Sequence, residues 1–295
     1  MKIPHILAQK RPAFSFEFFP PKTDEDAAHL LATARQLKEL DPAFISVTWG
    51  AGGSTRRKTL DIVSAVKKDL GVETMAHLTC VGASREDIDG VLAEIRERGI
   101  KNVLALRGDP PKGSTAFVTH PGGFAHANEL VAHIKRFGDF SVGVAGYPEK
   151  HVEAPSLEAD LDHLKRKVDA GADFIITQLF FGNDDFLRFR DKAAARGIAL
   201  PILPGLMPVT NVGQLKRFTT LCGAKIPGDL LQRLEAVQDN AEAVIRLGVA
   251  HAVAQGRRLL DAGVPGIHFY TLNRSRSTAP SAQERQRMLL RAMAH

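Results

Sequence analysis

The chain has 295 residues, of which 44% are hydrophobic and 24% charged, a composition typical of a soluble globular protein with a sizeable core. Two cysteines, Cys80 and Cys222, exclude a disulfide framework and a cysteine-based zinc site, and no apolar run has the length of a membrane span or a signal-peptide core. The net charge of +6 is compatible with a small anionic ligand, but short basic clusters without interleaved aromatics argue against nucleic acid. We therefore expect a cytoplasmic protein that acts on small molecules.

Eight apolar, β-branched or aromatic segments recur along the chain, and each ends in a polar residue, a glycine or a proline. We predict that they are strands. Most are apolar without interruption, as expected for parallel strands that are covered on both faces. In chain order the predicted strands are residues 14–20, 44–50, 73–80, 102–109, 140–148, 174–181, 200–208 and 267–273.

Amphipathic helical patterns separate these strands. The first pattern opens with Asp24 as its predicted N-cap. Another has Ser84 followed three residues later by Asp87 and closes at Gly99, and a third runs from serine to glycine over residues 156–171. Strand and helix therefore alternate through the chain.

Eight such repeats in under 300 residues predict an α/β protein with the (β/α)8 TIM-barrel fold, with residues 1–295 as a single domain. An open doubly wound sheet fits less well, because no G-x-G-x-x-G follows the first strand and the glycines at 50–55 have the wrong spacing.

Two connections are longer than a barrel needs. Residues 110–124 are a candidate lid, and residues 208–267 leave room for an extra helix near 227–236.

Polar side chains follow seven of the eight predicted strands. In a barrel of this class the active site lies at the carboxyl ends of the strands, so these residues are expected to meet. Two carboxylates, an imidazole and an arginine on one rim favour an enzyme over a scaffold. No pair of residues has metal-ligand spacing and no strand ends in a lysine, so we predict neither a metal site nor Schiff-base chemistry. The rim residues are Glu17, Thr48, His77, Asp109, Tyr147, Gln178, Asn273 and Arg274.

Three motifs in order, SFEFFPPK at 15–22, VTWGAGGST at 47–55 and TQLFF at 177–181, resemble the methylenetetrahydrofolate reductase family in its short bacterial form. The resemblance covers nearly the whole chain and implies that residues 1–295 are a catalytic domain, with no regulatory domain expected. It implies a flavoprotein barrel that reduces 5,10-methylenetetrahydrofolate to 5-methyltetrahydrofolate with NADH or NADPH, by a ping-pong mechanism through tightly bound FAD. It further implies a supply of methyl groups for methionine synthesis, and a homo-oligomer.

The resemblance also implies roles for individual residues. Glu17 matches the general acid that protonates the leaving nitrogen of the folate, and we expect the phenylalanines beside it to favour its neutral form and raise its pKa. Asp109 matches the aspartate beside the flavin and the pterin, where it would stabilise a cationic iminium. Phe218 would offer a stacking face and Arg274 would meet a folate carboxylate. The positions matched to folate or nicotinamide contacts are Thr48, Asp109, Gln178, Gln214, Phe218 and Arg274.

A larger set of positions matches the FAD contacts of the family. Trp49 stands where a tyrosine is common, and His163 stands where an asparagine is expected. Asp160 and Lys167 lie on one helix, so one face of it would hold ribose and pyrophosphate together. The matched positions are Trp49, Ala51, His77, Arg107, Gly108, Asp109, Ala127, Tyr147, His151, Ala154, Asp160, His163, Arg166 and Lys167.

Two other functions stay open at this stage. One is a related barrel that binds reduced pterins for methyl transfer without a flavin, and the other is a non-catalytic barrel that binds folate. A flavin absorbance band in the purified protein separates both from a flavin-dependent reductase.

Overall fold

A computed structural model describes residues 1–49, 53–109 and 117–271. Residues 110–116 of the candidate lid and the predicted site residues Ala51, Asn273 and Arg274 lie outside these ranges. The described elements are α1 (Ile3–Gln9), β1 (Ala13–Phe18), α2 (Asp24–Lys38), β2 (Phe44–Val47), α3 (Gly53–Leu70), β3 (Thr74–Thr79), α4 (Arg85–Glu97), β4 (Asn102–Leu106), α5 (Ala127–Phe137), β5 (Ser141–Gly146), α6 (Leu157–Asp169), β6 (Phe174–Thr177), α7 (Asn183–Ala195), β7 (Ile202–Leu203), β8 (Gly205–Leu206), α8 (Val212–Cys222), α9 (Gly228–Glu235), α10 (Ala241–Asp261) and β9 (Gly266–Tyr270).

The described strands form one parallel sheet in the order β7-β6-β5-β4-β3-β2-β1-β9-β8. Only Pro204 separates β7 from β8, so these two short strands are halves of a single barrel strand. Proline has no N–H to donate to a ladder, but its carbonyl accepts a 2.9 Å hydrogen bond from the His268 N–H, and the Gly205 N–H donates to Thr177 Oγ1 at 2.9 Å. The sheet therefore closes on itself, and the predicted (β/α)8 barrel is confirmed.

Most of the paired strands are shorter than predicted at their carboxyl ends. Strands β2, β4, β5 and β6 end at residues 47, 106, 146 and 177, so Trp49, Asp109, Tyr147 and Gln178 lie in the loops that follow them. The apolar pattern continues past the last paired residue because loop side chains such as Phe180 remain buried beneath the helices. These predicted rim residues therefore stand above the sheet.

The helix ends follow the capping chemistry of the sequence, with one correction. The predicted N-cap Asp24 is wrong, because Thr23 caps α2: its Oγ1 accepts from the Asp26 N–H at 3.1 Å, and Asp26 accepts from the Thr23 N–H at 3.3 Å. The capping box of Ser84 and Asp87 is confirmed, with Asp87 N–H donating to Ser84 Oγ at 3.1 Å. The extra helix predicted near 227–236 is α9.

Replacing Ser84 by Ala is expected to lower the free energy of unfolding by about 1 kcal/mol, because the Asp87 N–H loses its acceptor. Urea denaturation of the two proteins measures this difference. The matched control is Thr220→Ala, which removes an exposed hydroxyl that bonds back to Lys216 O inside α8 and is expected to be neutral or slightly stabilising. Equal unfolding midpoints for Ser84→Ala and the unmodified protein would contradict the capping role.

The two faces of the sheet bury different clusters. Side chains on the outer face pack against the helices, and this cluster contains Phe16 and Phe18 of β1 together with Leu30 and Leu37 of α2. Because neighbouring residues of a strand point to opposite faces, Ser15 and Glu17 point into the barrel. The phenylalanines that surround Glu17 in the sequence therefore lie on the other side of the sheet.

The barrel interior has an apolar lower half, which we call the barrel floor. Helix α1 closes the amino-terminal end of the barrel with Ile3 and Leu7, and the Ile3 N–H donates to Asn102 Oδ1 at 2.8 Å. Ser15 and Ser46 bring polar side chains into the interior at the level of Phe44 and Met75, their partners in the strand register. The barrel floor consists of Ile3, Leu7, Ala13, Ala43, Phe44, Met75, Leu104, Phe174, Ile176 and Leu203.

Among the residues that the structure describes, no helix is long and apolar enough to cross a membrane.

Candidate active site

Glu17 lies inside the barrel near the carboxyl end of β1, between two histidines. It is 9% exposed, and its Oε2 atom is 3.2 Å from Nε2 of His268 and 3.3 Å from Nε2 of His77. The contact with His268 has hydrogen-bond geometry. Nε2 of His77 lies at ion-pair distance but outside that geometry, so this buried atom has no hydrogen-bond partner. The structure therefore brings the predicted residues Glu17 and His77 together.

His268 extends this contact deeper into the barrel. Its Nδ1 lies 2.8 Å from Oγ of Ser15, and neither residue is exposed to solvent. The imidazole stacks on Phe44 with centroids 5.7 Å apart and meets the edge of Tyr270 at 5.4 Å. The Tyr270 hydroxyl donates to Thr177 O at 2.6 Å. The ring of His268 therefore packs against Phe44 and Tyr270 and has a polar partner at each nitrogen.

The expected rise in the pKa of Glu17 is wrong. Burial raises the pKa of this carboxyl, but the charge of His77 and the hydrogen bond from His268 outweigh it and lower the pKa to about 2. The expectation failed because Phe16 and Phe18 face the helices, whereas the carboxyl faces the two imidazoles. Glu17 is therefore ionised when it rests beside its histidines.

A second group of side chains surrounds the predicted residue Arg107, which follows β4. The guanidinium forms a bidentate pair with Glu153, with Nη1–Oε2 at 2.6 Å and Nη2–Oε1 at 2.7 Å, and it lies 4.7 Å from the ring centroid of Phe117. The hydrogen bonds that Arg107 donates to Glu153 raise the pKa of Arg107, and the exposed carboxylate of Asp109 adds to this effect. Asp109 therefore lies within electrostatic reach of this group.

Helix α6 and the loop before it bring together a third group. Lys167 donates to Ala145 O at 2.6 Å and lies 5.8 Å from the ring centroid of Tyr147, which meets His151 edge-on at 4.8 Å. Asp160 accepts the His151 N–H at 3.0 Å. Burial lowers the pKa of Lys167 to about 8, and the charge of Asp160 opposes this shift. Asp160 and Lys167 thus act on each other across one face of α6, as the sequence predicts.

Burial also shifts the pKa values of other ionisable residues in this third group. Burial lowers the pKa of His151 and raises the pKa values of Asp160 and Tyr147. His163 and Arg166 lie on the same helix as exposed side chains. The group therefore combines the aromatic ring of Tyr147 with the amino group of Lys167 and the guanidinium of Arg166, a combination suited to an aromatic and phosphorylated ligand.

The other predicted positions lie around the same barrel end. Thr48 follows β2 and its N–H donates to Phe18 O at 2.9 Å, while Gln178 follows β6 and its Oε1 accepts the Leu179 N–H at 2.8 Å. On α8, Gln214 lies in the first turn. Phe218 packs at the edge of an apolar cluster that also reaches Leu179 and Tyr270.

The remaining residues predicted at the FAD positions lie in loops or at a helix end. Ala127 begins α5, Ala154 is buried in the loop before α6, and Trp49 packs against the outer cluster. Gly108 has φ +90°, and a Cβ there would lie 2.5 Å from Cγ1 of Val81. A larger residue at Gly108 would therefore be strained as well as crowded.

Sequence reasoning missed four residues that take part in these contacts: Ser15, His268 and Tyr270 inside the barrel, and Glu153 beside Arg107. His268 is 251 residues from Glu17 in the sequence. The available signal was barrel closure itself, because the last strand must pair with the first and so places Tyr270 opposite Glu17 and His268 opposite Ser15.

Comparison with known proteins decides the family. The family model of methylenetetrahydrofolate reductase matches residues 2–284. The chain belongs to this family. Among similar methylenetetrahydrofolate reductases, "5,10-methylenetetrahydrofolate reductase" of Escherichia coli (strain K12) is 41% identical over 261 residues, which cover 88% of this chain and 86% of the relative.

Longer relatives match with similar identity. "Methylenetetrahydrofolate reductase (NADH) 1" of Arabidopsis thaliana is 46% identical over 287 residues, which cover 94% of this chain and 48% of the relative. This chain therefore spans about half the length of the plant relatives that it matches. Methylenetetrahydrofolate reductases are generally flavin-dependent.

A solved structure shares the fold. It is a protein from Clostridium thermocellum that binds two copies of 5-methyl-5,6,7,8-tetrahydrofolic acid, with a TM-score of 0.65 and 16% sequence identity over 98% of this chain and 95% of that one. At this identity the likeness concerns the fold.

The cluster of Glu17 with two histidines does not form a metal site. Across the ranges that the structure describes, no group of three or more His, Cys, Asp and Glu side chains has an arrangement that would hold a metal ion. The hydrogen bond from His268 to Glu17 instead suits proton transfer.

Proposed function

We propose that this chain reduces 5,10-methylenetetrahydrofolate to 5-methyltetrahydrofolate, with FAD as its cofactor and a reduced nicotinamide as its hydride donor. The observation that carries the proposal is the buried carboxyl of Glu17 at the catalytic end of the barrel, hydrogen-bonded to an imidazole. Family membership and the 41% identity to the Escherichia coli enzyme support it. The plant relatives named for NADH support NADH as the donor.

The residues around Arg107 and Lys167 fit FAD. Lys167 and Arg166 would hold the pyrophosphate, and Asp160 would accept hydrogen bonds from a ribose. Tyr147 offers an aromatic face, and the partnerless Nε2 of buried His77 offers a polar contact at the barrel centre. When bound, FAD supplies the hydride transfer between nicotinamide and folate.

The chain's own residues would act on the folate. In the substrate a methylene bridges two nitrogens, and hydride can add to it only after this ring opens to an iminium cation. Glu17 would give a proton to the leaving nitrogen and so promote the opening. The carboxylate of Asp109 would stabilise the cation, and Phe218 would stack against a flat ring of the substrate.

Absorbance spectroscopy of the purified protein tests the proposal. We expect a flavin band that NADH bleaches without oxygen and that methylenetetrahydrofolate then restores. A protein that stays colourless after FAD is added would instead favour a flavin-free methyltransferase barrel or a non-catalytic folate-binding barrel. Bleaching by NADH without recovery on addition of the folate would contradict the proposed substrate.

Replacing Lys167 by Met is expected to weaken FAD binding about 10-fold to 100-fold, because a charge-assisted hydrogen bond to phosphate is lost. Quenching of flavin fluorescence measures the dissociation constant. Lys165→Met is the matched control, since Lys165 lies on the same helix but pairs with Asp169 at the surface. Equal affinities for the two variants would contradict a role of Lys167 in holding FAD, while urea denaturation checks that Lys167→Met still folds.

A further inference from the structure

A chain of polar groups runs through the barrel from Ser15 to His77. The distances along it are 2.8 Å from Ser15 Oγ to His268 Nδ1, 3.2 Å from His268 Nε2 to Glu17 Oε2, and 3.3 Å from Glu17 Oε2 to His77 Nε2. Its inner members, Ser15 and His268, are completely buried. The proposed mechanism uses Glu17 and leaves both of these residues without a task.

We propose that His268 is a positioning residue that stores the proton which Glu17 delivers to the folate, and that Ser15 keeps the imidazole in place in both of its protonation states. This inference rests on the proposed function, because the proton's destination is the leaving nitrogen of the folate. Glu17 remains the residue that would touch the substrate.

An ionised Glu17 has no proton to donate, so a general acid at this position needs a supply. The nearest donor is the Nε2–H of His268, which already has hydrogen-bond geometry toward Oε2. The carboxylate oxygen accepts that N–H at 3.2 Å inside the barrel, so the donor and the acceptor of the proposed transfer are already in contact. Storage on the histidine and delivery through the carboxyl therefore need no other group between them.

His268 suits this task better than His77. The His77 contact with Glu17 lacks hydrogen-bond geometry, and the second nitrogen of His268 has a hydroxyl partner. A hydroxyl can donate to Nδ1 of a neutral imidazole and accept from Nδ1–H of a protonated one, so Ser15 satisfies both states after a simple rotation. The flanking rings of Phe44 and Tyr270 keep the imidazole from turning away.

The groups that face these polar side chains, which run from Ser15 to His77, come from several strands. Glu17 and Ser15 face His268 from β1, Phe44 faces it from β2, and Tyr270 lies on its own strand. His77 faces Glu17 from β3. Burial, together with the charge of Glu17, raises the pKa of Tyr270, so its phenol stays neutral. The other ionisable groups that face these residues are the two imidazoles and Glu17.

The proton transfer balances over one turnover. A proton leaves Nε2 of His268 for Oε2 of Glu17, and Glu17 passes a proton to the leaving nitrogen as that nitrogen's bond to the methylene breaks. When bound, FAD would supply the hydride that completes the methyl group. Neutral His268 and ionised Glu17 regain one proton from solvent before the next cycle, which matches the one proton that the overall reduction consumes.

His268→Gln tests the inference, because a glutamine amide can still donate an N–H toward Glu17 but cannot store a proton. We expect flavin reduction by NADH to stay within about 2-fold of the unmodified protein, and reduction of methylenetetrahydrofolate to slow about 100-fold with a changed pH profile. The matched control is His251→Gln, which replaces a partly buried histidine bonded to Phe181 O and is expected to leave both half-reactions unchanged.

Nitrogen-15 NMR of the histidines tests the same inference without the His268 variant. We expect the nitrogen-15 shift of His268 Nε2 to differ between the unmodified protein and Glu17→Gln, because the carboxylate oxygen that accepts its N–H is gone. An unchanged shift would overturn the inference. So would a folded His268→Gln protein with a normal folate half-reaction, or one in which both half-reactions fall together. An unmodified protein that cannot reduce the folate would instead overturn the proposed function.

Discussion

Replacing Glu17 by Gln is expected to slow the reduction of methylenetetrahydrofolate by about 10²-fold to 10⁴-fold, the usual contribution of a general acid. Glutamine has nearly the same shape but cannot transfer a proton from His268 to the folate. Hydride transfer from NADH needs no acid at this position, so flavin reduction is expected to be spared. Stopped-flow absorbance of the flavin measures the two half-reactions separately.

The matched control is Glu153→Gln, which changes the carboxylate beside Arg107 without touching the barrel interior. It is expected to leave the folate half-reaction far less affected than Glu17→Gln does. If Glu17→Gln slowed both half-reactions equally, its role as the acid would have to be abandoned.

The free energy of unfolding is expected to depend on pH through the contacts of Glu17 with its two histidines. The folded-state pKa of Glu17 is lowered from 4.5 to about 2, so the stabilisation from its histidine contacts is present above pH 4.5 and is lost as the pH falls toward 2. Urea denaturation of the unmodified protein and Glu17→Gln is therefore expected to show a difference in unfolding free energy that shrinks through this interval. A difference independent of pH would contradict an ionised Glu17.

Gly248→Ala is expected to destabilise the fold by about 3 kcal/mol, at the upper end of what overpacking costs. A Cβ on Gly248 would lie 1.9 Å from the carbonyl oxygen of Val209 and 2.7 Å from its carbonyl carbon. Backbone atoms cannot rotate away as a side chain does, so α10 would have to move from the segment that follows β8. The free energy of unfolding in urea measures this effect.

Gly90→Ala is the matched control, because Gly90 also lies inside a helix but a Cβ there would meet nothing within 4 Å. Alanine is better than glycine in an open helix position, so this variant is expected to gain about 0.5–1 kcal/mol. A loss of unfolding free energy in Gly248→Ala and a gain in Gly90→Ala would identify packing against Val209 as the cause. Gains in unfolding free energy of similar size in both variants would contradict a close backbone approach at Gly248.

The barrel itself was predictable because its physical signals are local. Strands covered on both faces are apolar throughout, and helices between them carry serine and glycine at their ends, as around Ser84 and Gly99. The one cap placed wrongly, Asp24, stands beside Thr23, and both residue types cap helices. The spacing from Thr23 to Asp26 distinguishes them, since it matches a capping box.

The site was predictable only in part, because its chemistry depends on contacts between distant strands. The sequence places Glu17 among phenylalanines, but alternation along β1 sends Phe16 and Phe18 to the helices. The sign of the pKa shift then depends on His77 and His268, which reach Glu17 only when the barrel closes. A prediction that considered sequence neighbours alone was therefore wrong about the charge of the acid.

The barrel floor also bears on the order of events in a turnover. Ile3, Leu7 and Phe44 separate Ser15 and His268 from water at the amino-terminal end of the barrel, so solvent protons reach these polar groups from the carboxyl end. A pterin seated over Glu17 would cover that same carboxyl end. In the proposed mechanism the protein would therefore take up its proton before the folate arrives, and the proposed store at His268 would hold that proton through the chemical step.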